Sequence, residues 1–172
     1  INLMENIKSM KIKKFFYASS SSVYGNPKKF PCNESQELKP INIYSKSKKF
    51  NEKIASYYCK KYKINMIGLR FFTIFGEWGR PDMLLIKLFE AIRNKEKLQI
   101  NNYGNHYRDF TYIGDVKKIF NILLKKRIIG HSIFNICSSK PLNILNICKN
   151  FKDKNLKIKK IAKHSADVLK TY

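Results

Sequence analysis

Apolar positions along the chain recur with two different periods, and the switches between them mark its elements. Leu3, Met4 and Ile7 are spaced as on a helix, so residues 1 to about 10 read as the tail of one. Phe15 to Ala18 is an apolar run, the pattern of a strand buried on both faces, within a strand from Ile12 to Ala18. It empties into four serines, Ser19 to Ser22, and then Val23-Tyr24-Gly25. Pro27, Pro31, Asn33 and Pro40 break residues 26–43 into a loop. A helix from Tyr44 to about Tyr62 carries Phe50, Ile54, Tyr57 and Tyr58 at i, i+4, i+7 and i+8, a stripe that would pack on a sheet. A second buried strand, Ile64 to Phe72, flows into Thr73-Ile-Phe-Gly76.

The second half continues the alternation. Pro81 suits the first turn of a helix running to about Lys95, with Leu85, Leu88, Phe89 and Ile92 as its core stripe. A short strand from Leu98 to Asn101 and an Asn-Tyr-Gly-Asn turn lead into Tyr107 to Ile113. Helix Asp115 to Lys126 places Val116, Ile119, Phe120 and Leu123 on one face. Strand Ser132 to Ile136 and a helix from Leu142 to Phe151 follow, and the lysine-rich end reads as one more strand. Strand, helix and strand in succession make a βαβ unit, which predicts an α/β fold with a parallel sheet. Ligands of such sheets bind beyond the carboxyl ends of the strands, where the serine run and Thr73 both fall.

That position gives Tyr44 and Lys48 their interest. Four residues apart on a helix, a phenol and an ammonium share one face. An ammonium beside a phenol favours the phenolate, and a serine hydroxyl nearby can share the proton. The set suits moving a proton on and off an alcohol. A lone Tyr-x-x-x-Lys is a weak signal, since such pairs are common on solvated helix faces; the serine run at the right distance strengthens it.

Composition narrows the partners. A length of 172 residues with 44% hydrophobic content fits one globular domain with a real core. No apolar run approaches the roughly 20 residues that span a bilayer, and the first residues do not read as a signal peptide. The net charge of +23 invites a nucleic-acid reading. Yet only Arg70, Arg80, Arg93, Arg108 and Arg127 are arginine; the rest are lysines scattered among Ile and Asn. With no helix-turn-helix, RNP motif or zinc finger, a compositional bias fits better than a nucleic-acid groove. Cys32, Cys59, Cys137 and Cys148 have no metal-ligand spacing and read as free thiols of a reducing cytoplasm. His106, His131 and His164 read as ordinary loop residues, and no metal site is expected.

The serine run before Val-Tyr-Gly and the Tyr-x-x-x-Lys that follows resemble the extended short-chain dehydrogenase/reductase family, specifically its nucleotide-sugar epimerases and dehydratases. Two long stretches, G-L-R-F-F-T-I-F-G-E-W-G-R-P-D-M (68–83) and N-Y-G-N-H-Y-R-D-F-T-Y-I-G-D (102–115), are most similar to the UDP-glucuronate 4-epimerase branch. F-N-I-C-S (134–138) and D-V-L-K-T-Y (167–172) extend the match, with Cys137 standing where the family has glycine and Ser165-Ala166 where it has Pro-Gly. The resemblance implies a partial Rossmann-like, doubly wound parallel sheet over residues 1–76. It implies a small substrate-binding subdomain over 77–172, with a returning Rossmann segment around 102–136.

It also implies roles. Tyr44 would take the proton of the sugar 4-hydroxyl, with Ser20 as its hydrogen-bonding partner and Lys48 holding the nicotinamide ribose of NAD. Ser19 and the backbone of Phe72 would lie by the cofactor. Ser21, Ser22, Thr73, Arg80, Met83, Gln99 and Arg108 would face the UDP-sugar, Arg80 reading its carboxylate and Arg108 its diphosphate. A guanidinium fork fits both anions. The implied reaction is inversion at C4 through a 4-keto sugar, and the complete enzyme would be a homodimer. Related 4,6-dehydratases and decarboxylases carry acids in the serine run; here no acid lies between Ala18 and Gly25. None of the seven glycines forms the family's G-x-x-G-x-x-G turn, so the chain resembles the second half of such an enzyme, and activity of these residues alone is not expected.

Overall fold

A computed structural model describes residues 1–10, 12–151, 156–163 and 168–172. Helix α1 (Asn2–Ile7) leads to strand β1 (Lys14–Ser20), whose end turns through a 3-10 segment at Ser21–Tyr24. Helix α2 (Ile43–Tyr62) crosses over to β2 (Asn65–Phe71), and a short β3 (Thr73–Phe75) follows. Then come α3 (Leu84–Asn94), β4 (Lys97–Ile100), β5 (Tyr107–Tyr112), α4 (Ile113–Lys125) and β6 (His131–Ile136). Strand β7 (Pro141–Asn143), helix α5 (Ile144–Asn150), β8 (Lys157–Lys160) and β9 (Lys170–Thr171) close the chain.

The main sheet is parallel, in the order β1-β2-β6. Alternation along β2 explains why it is covered on both faces. Met66 packs with Ala55, Tyr58 and Cys59 of α2, whereas Ile67 and Leu69 pack with Leu123 and Ile136, beside α4. This is the doubly wound α/β arrangement expected from the βαβ pattern. A second sheet joins β3, β5, β7 and β9, and β4 pairs with β8. Among the described residues no helix is long and apolar enough to cross a membrane.

Several expectations need correction. Among the described residues strand β1 pairs only with β2; Phe15 to Tyr17 are half-buried and Ala18 is exposed rather than enclosed. The buried face of α2 is Ser45, Glu52, Ala55, Tyr58 and Cys59, while Phe50 and Tyr57 point to solvent. Likewise Phe89 of α3 is exposed, and Ala91 is buried with Leu88. The strand read as Ile64 to Phe72 is β2, and the stretch it flows into is a separate strand: the chain leaves the first sheet at Phe72 and joins the second at Thr73. Pro81 lies in a turn ahead of α3, and residues 141–143 pair with β5 before α5 begins. His131 starts β6 and is no loop residue, whereas His106 does lie in the connection ahead of β5 but is buried there. His164 and residues 165–167 lie outside the described residues.

Candidate active site

The cleft lies beyond the carboxyl ends of β1 and β2, encloses about 580 Å³ and is walled by Ser19, Ser20, Tyr44, Lys48, Phe72, Arg80 and Met83. Local chemistry fixes each of these. Asn42 caps α2: its side chain accepts from Ser45 N at 2.8 Å, and Ser45 Oγ accepts from Asn42 N at 3.1 Å. This reciprocal box sets where the helix starts and puts Tyr44 in its first turn. One turn on, Lys48 reaches back to the sheet, donating Nζ to the carbonyl of Ala18 at 3.0 Å, with its ammonium 5.6 Å from the Tyr44 ring centre.

Ser20 ends β1 and caps the following turn. Its Oγ accepts from Ser22 N at 3.2 Å and from Ser22 Oγ at 2.9 Å. With its acceptor capacity used there, the Ser20 proton is left to donate elsewhere. Ser21 is buried and Ser22 is half-buried; neither forms part of the cleft wall, and Ser22 meets it only through its hydrogen bonds to Ser20. Phe72 is buried, and its N–H is taken by the carbonyl of Ile136 at 3.2 Å.

Arg80 lies on the wall that also carries Met83, in a forked ion pair with Asp82. Thr73 lines a neighbouring apolar hollow of about 230 Å³ with Phe75, Leu85 and Phe110, and Met83 borders both spaces. Gln99 and Arg108 share a third hollow with Asp82 and His106. The Arg108 guanidinium donates to the backbone carbonyls of Tyr107, Val168 and Leu169, which ties β5 to the chain end.

Reasoning from the sequence missed part of this wall. Glu77 and Trp78 border the cleft, and the Glu77 carboxylate accepts from the Tyr112 hydroxyl at 2.8 Å. Its own backbone N–H and this phenol hold the Glu77 carboxyl below the usual carboxylate range. The larger omission is a buried pair beneath the serines. Arg70 donates Nε and Nη2 to the Glu52 carboxylate at 2.9 and 2.8 Å, and Ser19 Oγ donates to the same carboxylate at 2.5 Å. Burial opposes the charge on Arg70, but hydrogen bonds to Glu52 and Tyr24 outweigh it and raise its pKa above the ordinary arginine value. The signal was there: an arginine inside the apolar run Ile64 to Phe72 must find a partner.

Ser20, Tyr44 and Lys48 thus meet in one cleft at the carboxyl ends of a doubly wound parallel sheet, the end at which α/β sheets of this class hold ligands. Residues 1–137 match the NAD dependent epimerase/dehydratase family, and the chain belongs to that family. It is 41% identical to an uncharacterized protein of Methanocaldococcus jannaschii, across all of this chain and 54% of that protein. A probable UDP-glucuronate 4-epimerase of Rhizobium meliloti is 40% identical over 67% of this chain and 34% of its own length. Among solved structures, the UDP-glucuronic acid 4-epimerase of Bacillus cereus, in complex with UDP-glucuronic acid and NAD, superposes with a TM-score of 0.91. That match is 30% identical and covers 99% of this chain and 55% of the other. The chain thus spans about half the length of the first of these relatives and of that structure.

Proposed function

We propose that this chain supplies the acid–base residues and the sugar-facing wall of an NAD-dependent nucleotide-sugar epimerase that inverts C4 of UDP-glucuronate. The observation that carries the reading is the meeting of Ser20, Tyr44 and Lys48 in one cleft with Arg80 on its wall. Tyr44 is the base for the sugar 4-hydroxyl. Ser20, with its proton free to donate, holds the same oxygen and steadies it as its charge changes. Arg80 offers a planar fork to the substrate carboxylate, the chemical difference between a glucuronate and a glucose.

The donors present fit the nicotinamide-ribose end of NAD. The Lys48 ammonium spends one proton on Ala18 and keeps two for ribose hydroxyls, beside Ser19 and the buried backbone of Phe72. Bound at these donors, NAD would supply the hydride chemistry at C4, as acceptor of the hydride and then its donor, while Tyr44 handles the hydroxyl proton. None of the seven glycines here forms a G-x-x-G-x-x-G turn, so the pyrophosphate has no glycine-rich helix start to meet within these residues. The absence of an acid from Ala18 to Gly25 favours epimerisation over dehydration or decarboxylation. In this reading Thr73, Met83, Gln99 and Arg108 belong to the nucleotide-sugar side, Arg108 through the backbone it organises, and the complete enzyme is a homodimer.

The test is the chain joined to the glycine-rich N-terminal half of a family relative, incubated with UDP-glucuronate and NAD and followed by proton NMR. UDP-galacturonate is the expected product. A pentose nucleotide or a 4-keto-6-deoxy sugar as the product would replace the reading, and no turnover of any nucleotide sugar would sink it.

A further inference from the structure

Tyr44, Lys48 and Glu52 lie four apart on one face of α2, and the last two grip consecutive residues at the end of β1. Lys48 holds the Ala18 carbonyl at 3.0 Å, and Glu52 accepts the Ser19 hydroxyl at 2.5 Å. Ser19 is paired in register with Arg70 on β2, which holds Glu52 from the other side. The remaining edge of Arg70 donates Nη1 to Tyr24 Oη at 2.7 Å and to the Glu34 carbonyl at 3.1 Å. The Tyr24 hydroxyl in turn donates a hydrogen bond to Asn135 Oδ1 at 2.7 Å. One buried charge pair, its side chains 3% and 6% exposed, therefore touches α2, both strands, the 3-10 turn and the loop behind it.

We propose that the Glu52–Arg70 pair is the positioning device of the site, fixing the serine run against Tyr44 and Lys48; it rests on the reading of Tyr44 as the base. Stability is a poor reason for such a pair. Two charges buried together roughly break even against apolar side chains of the same size, because their desolvation consumes the attraction. What apolar residues cannot supply is direction. Glu52 fixes the Ser19 side chain, and Ser20 is the next residue; Arg70 fixes Tyr24, which ends the turn that Ser20 caps. The pair thus sets the Ser20 hydroxyl from both sides without lining the cleft itself. It is a positioning pair and not a catalytic one.

Replacing both residues at once, Glu52→Met with Arg70→Met, leaves no unpaired buried charge. In the joined protein this variant is expected to melt within about 5 °C of the parent. Hydrogen–deuterium exchange of residues 19–25 should rise about tenfold while the interior of β2 stays protected. Turnover should fall about 10²-fold with KM changed less than about threefold, as for a misplaced reacting group. Tyr24→Phe keeps the ring and removes only the hydroxyl between Arg70 and Asn135, and it decides the matter should the double variant not fold. Its expected result is faster exchange in 19–25 and a severalfold lower turnover. Parent-like exchange and parent-like turnover in a folded variant overturn the proposal. Near-normal turnover of Tyr44→Phe would overturn the base assignment instead, and the exchange data would still judge the clamp.

Discussion

Arg80 and Asp82 form a forked ion pair on the cleft wall, Arg80 Nε donating to Asp82 Oδ1 at 2.9 Å and Nη2 to the second carboxylate oxygen. The hydrogen bonds hold the Asp82 carboxyl below the usual carboxylate range and raise Arg80. Both side chains are largely exposed, so a substrate carboxylate can compete with Asp82 for the same fork. Arg80→Leu is expected to weaken UDP-glucuronate roughly tenfold or more and UDP-glucose far less, since only the former offers a carboxylate. Asp82→Asn should tighten UDP-glucuronate by removing the competitor. Trp78, the one tryptophan, borders the cleft and gives a fluorescence titration for both sugars. Equal loss for the two sugars in Arg80→Leu would remove Arg80 from carboxylate recognition.

Tyr44→Phe keeps the ring beside Lys48 and removes the hydroxyl proposed to take a proton from the sugar. Turnover in the joined protein should drop by about 10²–10⁴-fold, the usual share of acid–base help, with nucleotide binding little changed. Steady-state rates within a few-fold of the parent would mean that the proton is handled elsewhere.

The βαβ core was legible because breakers and periods agree there: Pro27 to Pro40 separate the apolar run of β1 from the helical spacing that follows. What failed was the phase of α2. An aromatic stripe looked like the buried face, yet Glu52 and Ser45 lie inside and Phe50 outside. A polar residue counts as surface until its partner is known, and that partner, Arg70, stands on a strand 18 residues away. The switch of sheets at Phe72 was hidden for a related reason, since both sides of it are equally apolar. The family resemblance pointed to Arg108 as a diphosphate contact, and only the fold reveals the three carbonyls its guanidinium meets.

The Tyr17 hydroxyl and His131 Nε2 lie 2.7 Å apart between β1 and β6. Burial lowers the His131 pKa below the ordinary 6.5, opposed by Glu52 and reinforced by Arg70 and Lys60. Burial and Glu52 push Tyr17 up, so the phenol keeps its proton beside an imidazole whose charged form is disfavoured. The unfolded chain therefore binds a proton that the folded one resists, and stability should fall as pH drops below 6.5 toward the folded value. His131→Gln cannot titrate, so its urea midpoint should lose less between pH 7.5 and pH 5.5 than the parent's. Identical losses in the two proteins would show that His131 is not the group responsible.

Gly25 closes the turn after the serine run, its N–H donating to the Ser22 carbonyl at 3.1 Å with φ at +67°. Two separate constraints meet there. A side chain strains that backbone conformation, and a Cβ would sit 2.0 Å from the Lys39 carbonyl oxygen, backbone that cannot swing aside. Gly130 shares the positive φ, +82°, but has nothing within 4 Å of its would-be Cβ. Gly130→Ala therefore isolates the dihedral cost, about 1–2 kcal/mol. Gly25→Ala adds the collision and should cost roughly 3 kcal/mol or more. Lys39 lies three residues before Asn42, the cap of α2, so relief of the clash would also pull on the start of the helix that carries Tyr44. Urea unfolding of the two variants is the comparison, with turnover of the joined protein beside it. Equal destabilisation would mean that the 26–42 loop yields freely, and Gly25 would then be required for its dihedral angle alone.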